Sequence, residues 1–172
     1  MVIGEAKKKV TSAEAAKLLR GLNEELEAVK EAEVATREFI AATSEDVESV
    51  RPKYDFAWTQ QEIERLQQEI RRVKHAINVF NTTTVVPELD MTIDEVLVYI
   101  PQLSARKNKL AGMRVRLSKT REYSRAGSSI IEYRYANYDV DAADAEFKRV
   151  SDLLAKAQTA LDVVNNSVKF EI

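Results

Sequence analysis

Cysteine is absent from this chain of 172 residues, and histidine and tryptophan occur once each. Without cysteine there is no disulfide, no thiolate metal site and no thiol nucleophile. One histidine excludes a multi-histidine metal centre. Only four glycines and three prolines are present. Short-stranded sandwiches and barrels need many more turn residues, so an all-β fold is excluded. No run approaches the roughly 18 consecutive apolar residues of a membrane span. The first residues, Met1-Val2-Ile3-Gly4-Glu5-Ala6-Lys7-Lys8-Lys9, lack an apolar stretch after their charges. A secretory leader is therefore not expected, and the expected location is cytoplasmic. The net charge of −2 gives no global pull toward nucleic acid or membrane.

What is present is a chain that can fold: 45% hydrophobic and 31% charged, rich in Ala, Glu, Lys, Leu and Arg as long-helix proteins are. Its length suits a single domain that buries about 70% of its unfolded surface. Thr11-x-x-Glu14 is a capping-box pattern, and Leu19, Leu22, Leu26, Val29 and Ile40 predict a helix over about 12–42. Its outer face is acidic: Glu24, Glu25, Glu27, Glu31, Glu33 and Glu38. In the next helix, over about 59–81, Ile63, Leu66, Ile70, Val73, Ile77 and Phe80 are spaced 3, 4, 3, 4, 3. That is a heptad seam. Thr92-x-x-Glu95 opens a third helix over about 92–124, with Val96, Ile100, Leu103, Leu110 and Leu117 on one side. Pro101 predicts a kink or restart inside it. Lys107 and Arg114 fall where this seam wants apolar groups, and their stems can lie along it with the charges in water. Asp139 or Asp141 caps a fourth helix over about 141–168. There Phe147, Val150, Leu154, Ala157, Leu161, Val164 and Val168 form a second seam.

Two matched seams predict four long helices in antiparallel coiled-coil-like hairpins, a mainly α fold. A strand over about 129–138 is predicted by the alternation Ile130-Ile131-Glu132-Tyr133-Arg134-Tyr135-Ala136-Asn137-Tyr138. A lone strand needs a partner; Tyr54-Asp55-Phe56, within about 53–57, is the expected one, giving a small two-stranded ribbon. No sequence repeat of the 20–50-residue class is evident.

No catalytic constellation, metal site or cofactor is expected. There is no Glu-x-x-His pair and no glycine-rich phosphate loop, and a lone His75 without a matched nucleophile is poor evidence for acid–base chemistry. Three groups remain as binding candidates. The first is a basic stripe: Arg106, Lys107, Lys109, Arg114, Arg116, Lys119, Arg121 and Arg125 against Glu122 alone. It could meet phosphates, but pairing with the acidic face of the first helix, or a protein partner, is the favoured reading. The second is His75, Asn78 and Asn81 beside the seam, where polar groups fix register. The third is Tyr133, Tyr135 and Tyr138 on the strand, which suits packing or an interface and, less favoured, base stacking.

In its motifs the chain resembles the bacterial septicolysin-like family. These are Ile77-Asn78-Val79-Phe80-Asn81-Thr82-Thr83, Tyr123-Ser124-Arg125, Val140-Asp141 opening the last helix, and Val164-Asn165-Asn166. The likeness runs in order from about residue 15 to 172. It departs where Ala126-Gly127-Ser128 follows Tyr-Ser-Arg and in the absence of a tryptophan near the end of the chain. The resemblance implies a small cytoplasmic helical protein with no established activity, and no membrane-inserting hairpin supports the pore formation that the family's name suggests. The expected function is that of a non-enzymatic interaction or scaffold protein acting as a homo-oligomer. The alternative is an RNA-binding helical arm that uses the stripe at 106–125.

Overall fold

The computed structural model describes residues 8–122 and 130–172. The described residues are mainly α-helical, with small antiparallel ribbons. In chain order the elements are β1 (Lys9–Thr11), α1 (Ser12–Thr36), α2 (Val47–Val50), α3 (Phe56–Thr83), β2 (Val85–Val86), β3 (Met91–Thr92), α4 (Ile93–Arg114), β4 (Lys119–Glu122), β5 (Glu132–Tyr135), α5 (Val140–Ser167) and β6 (Lys169–Glu171). Three ribbons form, pairing β1 with β6, β2 with β3 and β4 with β5. The chain divides into two compact units, residues 1–81 with 165–172, and residues 82–164.

In the first unit α1 packs antiparallel on α3. Leu26, Leu66 and Ile70 are buried together, with Leu19, Leu22, Val29 and Ile63 packed around them. These are the heptad positions of α3 and the apolar stripe of α1. Both predicted capping boxes form: Thr11 Oγ1 accepts from Glu14 N at 3.2 Å while Glu14 Oε2 accepts from Thr11 N at 2.8 Å, and Thr92 and Glu95 repeat the exchange at the start of α4. Phe170 of β6 stacks on Phe80 of α3 with ring centroids 4.3 Å apart, which fastens the β1–β6 ribbon to the helix.

In the second unit α4 packs antiparallel on α5. Leu103, Leu110, Val150, Leu154 and Ala157 form its core, flanked by Tyr99, Ile100, Met113 and Phe147. The turn between β2 and β3 passes through Asp90 at φ 52°, a left-handed position that Asp tolerates better than most side chains.

Several boundaries differ from the sequence expectation. α1 ends at Thr36, not near residue 42. Beyond it Ile40 is 95% exposed, and α3 begins only at Phe56. A helix without a packed face is marginal in water. α3 starts three residues earlier than expected because Asp55 Oδ1 accepts from Trp58 N at 3.0 Å and the Asp55 carbonyl accepts from Thr59 N at 3.0 Å. Phe56 is therefore helical, and Tyr54-Asp55-Phe56 is not the strand that pairs with β5. That partner is β4, which lies in the segment expected to continue the third helix to residue 124. α4 stops at Arg114, and Leu117 of the expected seam is exposed. At Pro101 α4 continues without a restart.

Candidate functional site

The end of the α4–α5 hairpin carries the features that the sequence singled out. β4 and β5 pair in the register Lys119↔Tyr135, Thr120↔Arg134, Arg121↔Tyr133 and Glu122↔Glu132. Side chains directly opposite share a face, and that face changes with every residue. One face of the ribbon therefore carries Lys119, Arg121, Tyr133 and Tyr135. The other carries Thr120, Glu122, Glu132 and Arg134, with an ion pair between Glu122 and Arg134. The hydrogen bond from Arg134 outweighs the opposing effect of burial and, with a smaller contribution from the guanidinium charge, holds the Glu122 carboxyl below its ordinary range.

On the first face the Lys119 ammonium lies 4.1 Å from the Tyr133 ring centre and 5.5 Å from that of Tyr135, and the two rings are 6.4 Å apart. Tyr133 and Tyr135 remain exposed. Tyr138 plays another part. Its hydroxyl donates to the Met113 carbonyl at 3.0 Å, so it ties the start of α5 to the last turn of α4. Ala136 N donates to the Ser118 carbonyl at 3.1 Å and closes the ribbon at its base.

Two arginines of the basic stripe are paired with carboxylates. Arg106 pairs with Glu146 at 2.5 Å and Arg114 with Asp144 at 2.7 Å. Their acidic partners lie on α5, not on the acidic face of α1. Arg114 also stacks over the Phe147 ring at 4.3 Å, and the Lys107 ammonium lies 5.9 Å from the same ring. Both charged heads thus lie against Phe147, a residue of the α5 seam. The Asp144 carboxyl is held low by its hydrogen bond to Lys148 first and by Arg114 next; Glu146 is held low by Arg149 first, with a smaller contribution from Arg106. Lys109, Arg116 and Arg121 are exposed, and Arg125 lies outside the described residues, as does the Tyr123-Ser124-Arg125 motif.

His75 and Asn78 are exposed on α3, and Asn81 is half-buried. Among the described residues no group of three or more His, Asp or Glu side chains could hold a metal ion. No helix of the described residues is long and apolar enough to cross a membrane.

Sequence reasoning missed the apolar part of this surface. Val115, Leu117, Ile130 and Ile131 are 74%, 70%, 67% and 58% exposed. The alternation Val115-x-Leu117-x-Lys119-x-Arg121 is the signal of a strand approach, but the seven-residue step from Leu110 to Leu117 favoured a helix.

No family model and no curated protein matches the sequence. The structure is similar to the crystal structure of a functionally unknown conserved protein from Corynebacterium diphtheriae. The TM-score is 0.57 at 15% identity, over 95% of this chain and 99% of that one. A likeness at this identity shows the fold and nothing more.

Proposed function

We propose that the chain is a non-enzymatic, cytoplasmic interaction protein that works as a homo-oligomer, its hairpins serving as a scaffold and their ends as contact surfaces. One observation carries this reading. Val115, Leu117, Ile130, Ile131, Tyr133 and Tyr135 are all exposed on one short ribbon and its approaches. Single exposed apolar residues are ordinary, whereas a cluster of large ones marks a contact surface. A two-stranded ribbon is also marginal alone in water, so covering one face stabilises it. Membership of the septicolysin-like family belongs to the same proposal. It rests on Ile77 to Thr83, Val140-Asp141 and Val164-Asn165-Asn166.

A second reading, RNA binding, is favoured by the alternation of Lys119 and Arg121 with Tyr135 and Tyr133 on one ribbon face, the combination that stacks bases and meets phosphates. Lys119 already occupies the tyrosine faces, and Arg106 and Arg114 are paired with carboxylates, so this reading ranks second. Size-exclusion chromatography with light scattering in low salt, recorded at two absorbance wavelengths, tests both. The expected result is a mass above the 19.5 kDa of one chain that rises with concentration, with a protein-like absorbance ratio. A 19.5 kDa species at every concentration overturns the homo-oligomer. A nucleic-acid-rich peak that salt removes puts the second reading first.

A further inference from the structure

We propose that the β4–β5 ribbon of one copy seats in the groove on the α1–α3 hairpin of a second copy, in a head-to-tail contact. This rests on the homo-oligomer reading and names the receptor that it leaves open. The groove holds about 750 Å³ between the end of α1 and the start of α3. Ala28 and Ala32, one helical turn apart, keep its floor low beside Val29, and Tyr54 and Trp58 form the far wall. Trp58 is 58% exposed. Glu25, Glu33, Asp55 and Lys53 also line it, and Glu25 lies 3.8 Å from Arg65. Glu33 Oε1 is fixed there, accepting from the Tyr54 hydroxyl at 2.9 Å and from Gln60 Nε2 at 2.7 Å. The lining is thus apolar and aromatic, with three carboxylates against one lysine.

The charges select the occupant. Residues 24–60 hold ten acidic and four basic side chains, and the described residues of 115–138 hold four basic and two acidic. A ribbon-to-ribbon contact would set Lys119 and Arg121 against their own copies, and a groove-to-groove contact would oppose Glu25 and Glu33. Like charges brought together at an interface are costly. The ribbon meeting the groove pairs the two signs and covers apolar surface on both. Such a contact is heterologous: each copy offers one ribbon and one groove.

Trp58 is the only tryptophan in the chain, so its emission reports on the groove directly. Two variants separate the partners. Ala28→Lys with Ala32→Lys fills the groove floor at exposed helical positions, and lysine keeps helix propensity. Arg121→Glu with Tyr135→Ser disables the ribbon at exposed positions. Circular dichroism checks that each retains the wild-type helix content. Each variant alone is expected to associate about tenfold or more weakly than wild type. An equimolar mixture is expected to give one-to-one dimers, because the intact ribbon of the groove variant meets the intact groove of the ribbon variant. Trp58 emission shifts to shorter wavelength in the wild-type oligomer and in the mixture, but not in the ribbon variant alone. If the groove variant assembles like wild type while the ribbon variant does not, this inference falls and the homo-oligomer reading stands. If both variants assemble like wild type, or the mixture fails to dimerise, the head-to-tail contact is wrong. If wild type is monomeric at high micromolar concentration, both fall.

Discussion

Arg114 illustrates how a single side chain can hold a core position without being apolar. Its guanidinium lies over the Phe147 ring and meets Asp144 at 2.7 Å. The same economy explains Lys107. Partly exposed ion pairs of this kind contribute little by themselves; the guanidinium also covers the ring. Gly21 presents the opposite case. It lies inside α1, is exposed, and a Cβ added there would meet nothing within 4 Å. Glycine in a helix interior loses backbone entropy on folding for no steric gain. Gly21→Ala is therefore expected to raise stability by about 0.5–1 kcal/mol, read as a higher urea midpoint at unchanged m-value. Gly112, in the last turns of α4 with equally open space, should respond in the same direction. A loss of stability at Gly21 would mean that the groove side of α1 is covered by something that the isolated chain does not show.

Among the elements, the capping boxes at the starts of α1 and α4 set a pH dependence. The Glu14 carboxyl is held below its ordinary value by the Thr11 backbone N–H, which outweighs burial, with smaller contributions from Lys169 across the β1–β6 ribbon, the Thr11 hydroxyl and Lys8. Glu95 is held low by the Thr92 backbone N–H and then by the Thr92 hydroxyl. A carboxyl whose folded pKa is depressed stabilises the fold fully above its unfolded value, and that contribution is lost as pH falls through the lowered folded value. Glu48, Glu62, Glu122, Asp144 and Glu146 act in the same direction beside their basic neighbours. Stability is thus expected to be flat from neutrality down to about pH 5 and to decline below the ordinary glutamate value of 4.5. Glu14→Gln with Glu95→Gln should flatten that acid limb in thermal melts taken from pH 7 to pH 3. The elements that sequence reasoning found are those with a long period or a fixed chemical signature. The seams of α3 and α5 carry six and seven apolar positions at alternating steps of three and four, and Thr-x-x-Glu fixes a helix start to the residue. Strands of two or three residues such as β2, β3 and β6 have no period to read. β4 was misread because Leu103, Leu110 and Leu117 keep a seven-residue spacing across a helix end that only tertiary contact reveals, namely Tyr138 capping the Met113 carbonyl. The charged residues of the candidate surface were legible, but their pairing was not, since Glu146 and Asp144 are distant in sequence from Arg106 and Arg114.

At the level of the whole molecule the two units repeat one plan. Each has a short strand ending in a capping-box threonine, Thr11 or Thr92, a helix, an excursion, and a second helix. The second helices, α3 and α5, are each 28 residues long. Asp55 and Asp139 accept equivalent backbone hydrogen bonds at their starts, from Thr59 N and Ala143 N. Near their ends Asn81 and Asn165 each leave a buried Oδ1 without a partner among the described residues, and a strand follows both. The closing strands are exchanged: β6 completes the first unit by pairing with β1, and β2 the second by pairing with β3. The repeat is about half the chain long and its excursions differ, one a connector and the other a ribbon, which hides it from a search for shorter periods. The exchange also brings the first and last described residues together, since Lys8 N donates to the Ile172 carbonyl at 3.3 Å and Ile172 N to the Lys8 carbonyl at 3.0 Å. A circular permutant can therefore join Ile172 to Lys8 through a short glycine–serine linker and open the chain between Ser44 and Glu45, in an exposed stretch. It keeps the β1–β6 pairing and the Phe80–Phe170 stack. Loop-tip permutation with a short closure costs little, so the permutant is expected to retain wild-type helix content and stability to within about 1 kcal/mol. Ending the chain at Val168 removes both features and is expected to cost about 2 kcal/mol or more, chiefly from the lost Phe170 ring. Urea unfolding of the two forms side by side checks this. Equal stability for the truncated chain would show that the closing strand decorates the first unit without holding it; a permutant that fails to fold would show that the order of the two halves matters to folding and not only their pairing.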